Sequence, residues 1–291
     1  MRHVLSVRIT GICLVLISAV CVPGSAPAEA VAPTGADATP EVSLRTLYSN
    51  VFLQTSAEYR ACCYAIYAAA AYRLEEMMEE PEPEFVCPAV VMDLDMTVLD
   101  VSSFQTYLYV NGIKYTPEIW IEYERNGVED VALVPGAKGF IEKAEELGVT
   151  VVYLSNRNAA NQEYTVAALD RLGINTDRIE ERIYLKPTGA SSDKSARRDE
   201  VTARYNVVMY IGDNLRDFSD VFRPARLSDD ATVEEHLAAI AERLDAVDDA
   251  ACHWGVDWFV LPNPIYGEWE KLVSDDPADV LRPSYKESPG Q

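Results

Sequence analysis

From residue 86 onward the chain alternates short apolar runs with segments of helical periodicity, and this alternation restricts its fold more than any other feature. VCPAVVMDL (86–94), VTVVYLSN (149–156), IYLK (183–186) and NVVMYIGDN (206–214) read as strands. Between them PGAKGFIEKAEELG (135–148), AANQEYTVAALDRLG (159–173) and DKSARRDEVTARY (193–205) read as helices, the first with proline near its start and glycine at its end. An acidic helix around 231–247, a last strand WFVLPN (258–263) and the segment IYGEWEKLV (265–273) follow. Upstream, apolar residues recur at helical spacing from 43 to 80, and QTSAEYRACCYAIYAAAAYRLEEMMEE gives one long helix closed by PEPE. Strand and helix in this order build an α/β domain on an open, mostly parallel sheet, whose active site lies at the carboxyl ends of the strands.

Those ends carry an unusual load of charge. VVMDLDMTVLD (90–100) sets Asp93, Asp95 and Asp100 at the end of a strand that otherwise reads as buried. A carboxylate beside apolar neighbours is costly unless a cation, a substrate or a proton neutralises it. Aspartate also forms strand-end turns, so each of them alone says little. A calcium loop is excluded, because its sixth position requires glycine and Val98 stands there, with Leu99 next. The second strand ends in Ser155-Asn156-Arg157 and the fourth in Gly212-Asp213-Asn214, with Asp217 four residues further on and Lys194 opening the helix between. In a parallel sheet all of these fall on one edge.

Residues 1–30 read as a signal peptide: Arg2 and Arg8 border a short n-region, ITGICLVLISAV is the apolar stretch, and APAEA offers cleavage sites ending at Ala28 or Ala30. A membrane span needs about 20 apolar residues, more than this run or any later one supplies. The expectation is an exported, soluble mature protein, periplasmic, outer-membrane-associated or secreted. A lipid anchor would require a cysteine after small residues at the cleavage point, but Cys21 follows Val20. Residues 31–42 read as a linker and 43–291 as one domain, with a helical part at 43–86, a catalytic core at 87–273 and a tail at 274–291. The net charge of −22 sets the surface against nucleic-acid polymers and anionic lipid. An anionic substrate must therefore be drawn in by a local positive site. Cys62, Cys63, Cys87 and Cys252 remain after processing, in a compartment that permits disulfides. Adjacent Cys62 and Cys63 point to different helix faces, so at most one bridges to Cys87 or Cys252; the alternative is that both pack as small core residues.

DLDMTVLD (93–100), YLSNR (153–157), SDKSARR (192–198) and IGDNLRDF (211–218) resemble, in order, the four motifs of the haloacid dehalogenase (HAD) superfamily. QTSAEYRA (54–61), GDNLRDF (212–218) and LPNPIYGEWE (261–270) are similar to subfamily IIIB, the class C acid phosphatases, which include secreted and outer-membrane nucleotide phosphatases. The resemblance spans roughly 43–273. It implies a HAD-like Rossmannoid fold, a mostly parallel central sheet flanked by helices with helical additions at both termini. It also implies an acid phosphatase that hydrolyses small-molecule phosphomonoesters, nucleoside 5′-monophosphates among them, and a homodimer is compatible with it.

The residue types suit that chemistry. A carboxylate such as Asp93 can attack phosphorus and form an aspartyl-phosphate, splitting one hard displacement into two easier ones. Asp95 can reach the leaving oxygen if the chain turns, protonating the alkoxide and then deprotonating water. The resemblance supplies both roles and the metal: Mg²⁺ held by Asp93, the backbone carbonyl of Asp95 and Asp213, with Asp217 orienting its waters. Ser155 and Lys194 would hold the other phosphoryl oxygens. By the same resemblance Asn156 and Arg157 structure their loop, and Thr97 and Asp100 cap and brace theirs. Trp120 and Tyr266 fall where nucleotide-hydrolysing relatives stack aromatic rings on the base, and Phe104 and Tyr107 would complete that wall. Large rings are more often core packing. Met96 and Val101 depart from the Glu and Asn common at their positions and leave the nucleophile, acid and metal ligands untouched. His236 and His253 read as ordinary surface or packing residues. Two alternatives stay open: a phosphotransferase passing the same intermediate to an alcohol, and a storage or binding relative without chemistry. Retention of Asp93, Asp95, Lys194 and Asp213 argues against the second. An acid at Asp95 argues against dehalogenases and P-type ATPases.

Overall fold

The computed structural model describes residues 40–79, 86–274 and 276–282. The signal peptide, most of the linker and the PEPE stop lie outside these residues. Two helices open the described chain, α1 (Pro40–Thr55) and α2 (Ala57–Glu79). The single helix expected from Gln54 is interrupted at Ser56, whose hydroxyl accepts the Tyr59 N–H at 2.9 Å. That cap starts α2 afresh and leaves Gln54 and Thr55 in α1. Tyr59, Cys63, Tyr67, Ala70 and Leu74 form the buried stripe of α2, at the spacing one helix face requires.

The order then runs β1 (Pro88–Met92), β2 (Leu99–Asp100), α3 (Ser102–Asn111), α4 (Pro117–Asn126), β3 (Ala132–Leu133), α5 (Ala137–Glu146), β4 (Thr150–Asn158), α6 (Gln162–Arg171), β5 (Ile183–Lys186), α7 (Ser195–Arg204), β6 (Asn206–Gly212), α8 (Val233–Asp249) and β7 (Trp258–Val260). Five strands form a sheet in the order β5-β4-β1-β6-β7, every pair parallel. The chain leaves β1 for β4 and β5 on one side and returns to β6 and β7 on the other. The order therefore reverses between β1 and β6, where a crevice opens at the carboxyl ends. Both sheet faces are covered, which is why the strands read as nearly unbroken apolar runs. Val90, Met92, Val151 and Tyr153 join the core with α2 and α5, while Ala89, Val91, Val152 and Leu154 pack with Val201 of α7.

Residues 101–134 carried no strand or helix assignment from sequence, and they hold α3, α4 and β3. β2 and β3 pair antiparallel, Leu99 opposite Leu133. The start of α4 has a recognisable signature: Thr116 accepts the Ile119 N–H at 3.3 Å and Pro117 takes the first turn. Cys63 is buried while Cys62, Cys87 and Cys252 are exposed, and all four are free thiols. Cys62 and Cys63 do face different ways, so the picture of both in the core fails, and no bridge forms among them.

Candidate active site

Beyond β1 the chain makes one tight turn. The N–H groups of Thr97, Val98 and Leu99 all point at the Leu94 carbonyl, at 3.2, 2.8 and 2.8 Å. Met96 takes a left-handed φ of 59° there, its side chain fully buried. This is the turn Asp95 needs to face the same space as Asp93. Asp93, Asp95, Ser155, Lys194, Asp213 and Asp217 all line one cavity of about 980 Å³, with Trp120 and Tyr266 on its walls.

Lys194, at the cap position of α7, extends its ammonium group to Asp93 Oδ1 at 2.6 Å, Asp217 Oδ1 at 2.7 Å and the Leu154 carbonyl at 2.7 Å. All three of its protons are thereby used. Asp213 accepts from Asn263 Nδ2 at 2.7 Å and from Thr97 Oγ1 at 3.4 Å. Asp93, Asp213 and Asp217 each bring a carboxylate oxygen within 4.8 Å of the others. Three carboxylates against one ammonium leave a surplus of negative charge. Burial, then Asp217 and Asp93, push the Asp213 carboxyl well above the usual range. Burial likewise pushes Asp217 up to about 6, with Lys194 opposing. Hard oxygen donors with excess negative charge fit a hard divalent cation. Both oxygens of Asp217 are already engaged, Oδ1 by Lys194 and Oδ2 by the Asn214 N–H at 3.0 Å.

Ser155 is buried and accepts the Arg157 N–H at 3.2 Å. Arg197 of α7 braces this strand end, donating to the Ser155 carbonyl at 2.5 Å and to Asn156 Oδ1 at 2.7 Å. Thr97 and Asp100 do brace the first loop: the Thr97 carbonyl accepts the Tyr67 hydroxyl at 2.7 Å, and Asp100 Oδ1 accepts the Ser102 N–H at 2.9 Å. Arg157 does more than shape its loop, since it clasps Asp95 through Nε and Nη2. Glu124 and Asn263 were not singled out from sequence. Glu124 is a buried acid on α4 that accepts the Asn158 N–H at 3.0 Å and Asn161 Nδ2 at 2.7 Å, and burial raises its pKa. Nothing in its sequence context announces it. Asn263 stands inside the LPNP segment, which was the available signal.

Trp120 projects from α4 and packs edge-on to Phe104 at 5.2 Å and beside Tyr123 at 5.5 Å. Tyr266 follows β7, and burial with the nearby Asp213, Asp95 and Asp93 holds its phenol protonated. Phe104 and Tyr107 do not complete the wall: Phe104 is buried behind Trp120, and Tyr107 is half exposed. α3 presents Gln105, Leu108 and Tyr109 to the cavity instead. His236 and His253 make local contacts away from it, His236 Nδ1 with the Leu272 carbonyl and His253 stacked on Trp258.

Residues 30–269 match the protein family described as HAD superfamily, subfamily IIIB (Acid phosphatase). Among solved structures, the chain is similar to the class C acid phosphatase from Bacillus anthracis, with 28% identity, a TM-score of 0.66, and coverage of 80% of this chain and 89% of that one. The same enzyme with tungstate bound matches at 28% identity and a TM-score of 0.67, covering 86% of this chain and 93% of that one. With its parallel sheet, its carboxylates at the β1–β6 crevice and this match over most of its length, the chain belongs to the subfamily IIIB acid phosphatases of the HAD superfamily and is a phosphomonoester hydrolase.

Proposed function

We propose that this phosphatase is exported, depends on Mg²⁺ and accepts nucleoside 5′-monophosphates among its substrates. The observation that carries the reading is the convergence of Asp93, Asp95, Lys194 and Asp213 on one cavity whose walls include Trp120 and Tyr266. An Asp93 oxygen attacks phosphorus as the bond to the leaving oxygen breaks, and that oxygen takes the proton of Asp95. Asp95 then accepts a proton from the water that attacks the aspartyl-phosphate, which releases inorganic phosphate and restores Asp93. Ser155 hydrogen-bonds a phosphoryl oxygen where charge builds up, and Lys194 does the same by turning to the substrate one of the protons it gives to the carboxylates in the free protein. The Asp93 and Asp213 carboxylates and the Asp95 carbonyl would hold Mg²⁺, with Asp217 orienting the surrounding ligands; the ion supplies positive charge to a phosphoryl oxygen. That the Bacillus anthracis enzyme binds tungstate, a tetrahedral oxyanion like phosphate, supports an oxyanion site in this fold.

The test is phosphate release from nucleoside monophosphates, sugar phosphates and an aryl phosphate, each with Mg²⁺ and with chelator. Full activity in chelator would remove the metal from the reading, and transfer of phosphate to an added alcohol in preference to water would make the protein a phosphotransferase. For export, mass spectrometry of the mature chain should find its first residue close to Ala30. An intact N-terminus or an acylated Cys21 would overturn that part.

A further inference from the structure

Arg157 is the largest fully buried side chain among the described residues, with 1% of its surface exposed. A buried guanidinium is costly to desolvate unless it is paired, and this one is paired in a specific manner. Nε donates to Asp95 Oδ1 and Oδ2 at 2.9 and 3.1 Å, and Nη2 donates to Oδ1 at 2.7 Å. Its Cζ also lies 5.8 Å from the centroid of the Trp120 ring. Glu124, buried on the same helix as Trp120, adds a second negative charge to its surroundings. One side chain therefore touches both the carboxyl that serves the leaving oxygen and the ring that walls the leaving group's space.

We propose that Arg157 is a positioning residue for leaving-group departure: it fixes the Asp95 carboxyl relative to Trp120, so that proton donor and leaving-group surface keep one geometry. The inference rests on the reading of Asp95 as the acid. As phosphorus passes to Asp93, the leaving oxygen keeps the electron pair of the broken bond and takes the Asp95 proton. The carboxylate left behind is the form that a bidentate guanidinium binds best, because hydrogen bonds to an ionised partner are the stronger ones. Ser155 and Arg157, two residues apart on β4, thus divide the work, one at the phosphoryl group and one behind the acid.

The test compares two substrates that both carry a ring and differ in their need for a proton: a nucleoside 5′-monophosphate, which leaves as an alkoxide, and p-nitrophenyl phosphate, which leaves as a stable anion. The readout is kcat/KM, which stops at formation of the aspartyl-phosphate. Arg157→Met should lower it about 100- to 1000-fold for the nucleotide, the range general acid catalysis contributes, and less than about 10-fold for the aryl ester. Arg157→Lys, which keeps the charge without the fork, should fall between, and it reads the same ratio if the Met variant does not fold. Equal losses on both substrates would make Arg157 a purely structural residue and overturn the inference. Absence of phosphate release from both by the wild-type protein would instead overturn the functional reading on which it stands.

Discussion

Gly212 ends β6 directly beneath the Asp217 carboxylate. A Cβ there would lie 2.6 Å from the Asp217 Cβ, a separation that side-chain atoms do not tolerate. Gly212→Ala should therefore displace Asp217 from Lys194 while the sheet still folds. Misplacement by about 1 Å can cost on the order of 100-fold in rate, so a loss of at least tenfold in kcat with unchanged circular dichroism is expected, and wild-type kcat would contradict it. Asp93→Asn should leave a folded protein with less than about a hundredth of the wild-type kcat. Asp93, Asp95 and Asp213 were legible in the sequence because charge at the end of an apolar strand is conspicuous even before folding, whereas Lys194, which opens a helix, stood out only through the motif resemblance. Arg157 was legible only as a residue that structures its loop and Glu124 not at all, since their importance lies in what they touch. The partner of Arg157 is 62 residues away in the chain, and neither periodicity nor composition records such a pairing.

Asn263 shows how an element ties two parts of the site together. Its Nδ2 donates to Asp213, while its Oδ1 accepts the N–H groups of Ile265 and Tyr266 at 3.0 and 3.4 Å. The segment after β7 is thus folded around the same side chain that orients a proposed metal ligand. Asn263→Ala should weaken Mg²⁺ affinity and raise KM for nucleotides together; titration calorimetry and steady-state kinetics report the two separately, and a change in one alone would break the link. Trp120→Ala and Tyr266→Ala should act on KM only for substrates with a base to stack. Stacking is worth about 1–3 kcal/mol per base, so KM for a nucleoside monophosphate should rise about 5- to 150-fold and KM for glycerol phosphate little. Equal rises would assign both rings to packing. The parallel sheet was readable because its central strands are covered on both faces and read as nearly unbroken apolar runs. α3 was not, because it borders an open cavity and presents Gln105, Leu108 and Tyr109 to it with no clean period, and α4 went unassigned although its Thr116-Pro117 start was an available signal.

Across the whole molecule, net charge and site charge act in the same direction. The chain carries −22 overall, and three of its carboxylates crowd together in the site around one lysine. The acidic surface was visible in composition, but the crowding inside the site depends on the crossover that brings β1 and β6 side by side. In the metal-free protein Asp217 is raised from an ordinary 3.8 to about 6, and Asp213 is displaced in the same direction. Between the unfolded and folded values the folded chain holds more protons than the unfolded one, so stability falls as pH rises through that window. Repulsion at the surface also grows with pH, and the two effects cannot be separated in chelator alone. The difference between magnesium and chelator cancels the surface contribution, because both samples share it. A cation at about one hundred times its Kd stabilises the native state by about 2.7 kcal/mol, a Tm increase on the order of 5–10 °C for a domain of this size. Below about pH 6 protons compete for the same oxygens, so the magnesium-induced increase in Tm should be clearly smaller at pH 5 than at pH 7.5. Differential scanning calorimetry at the two pH values decides the matter: an increment as large at pH 5 as at pH 7.5 would mean that the cation does not bind through these buried carboxylates.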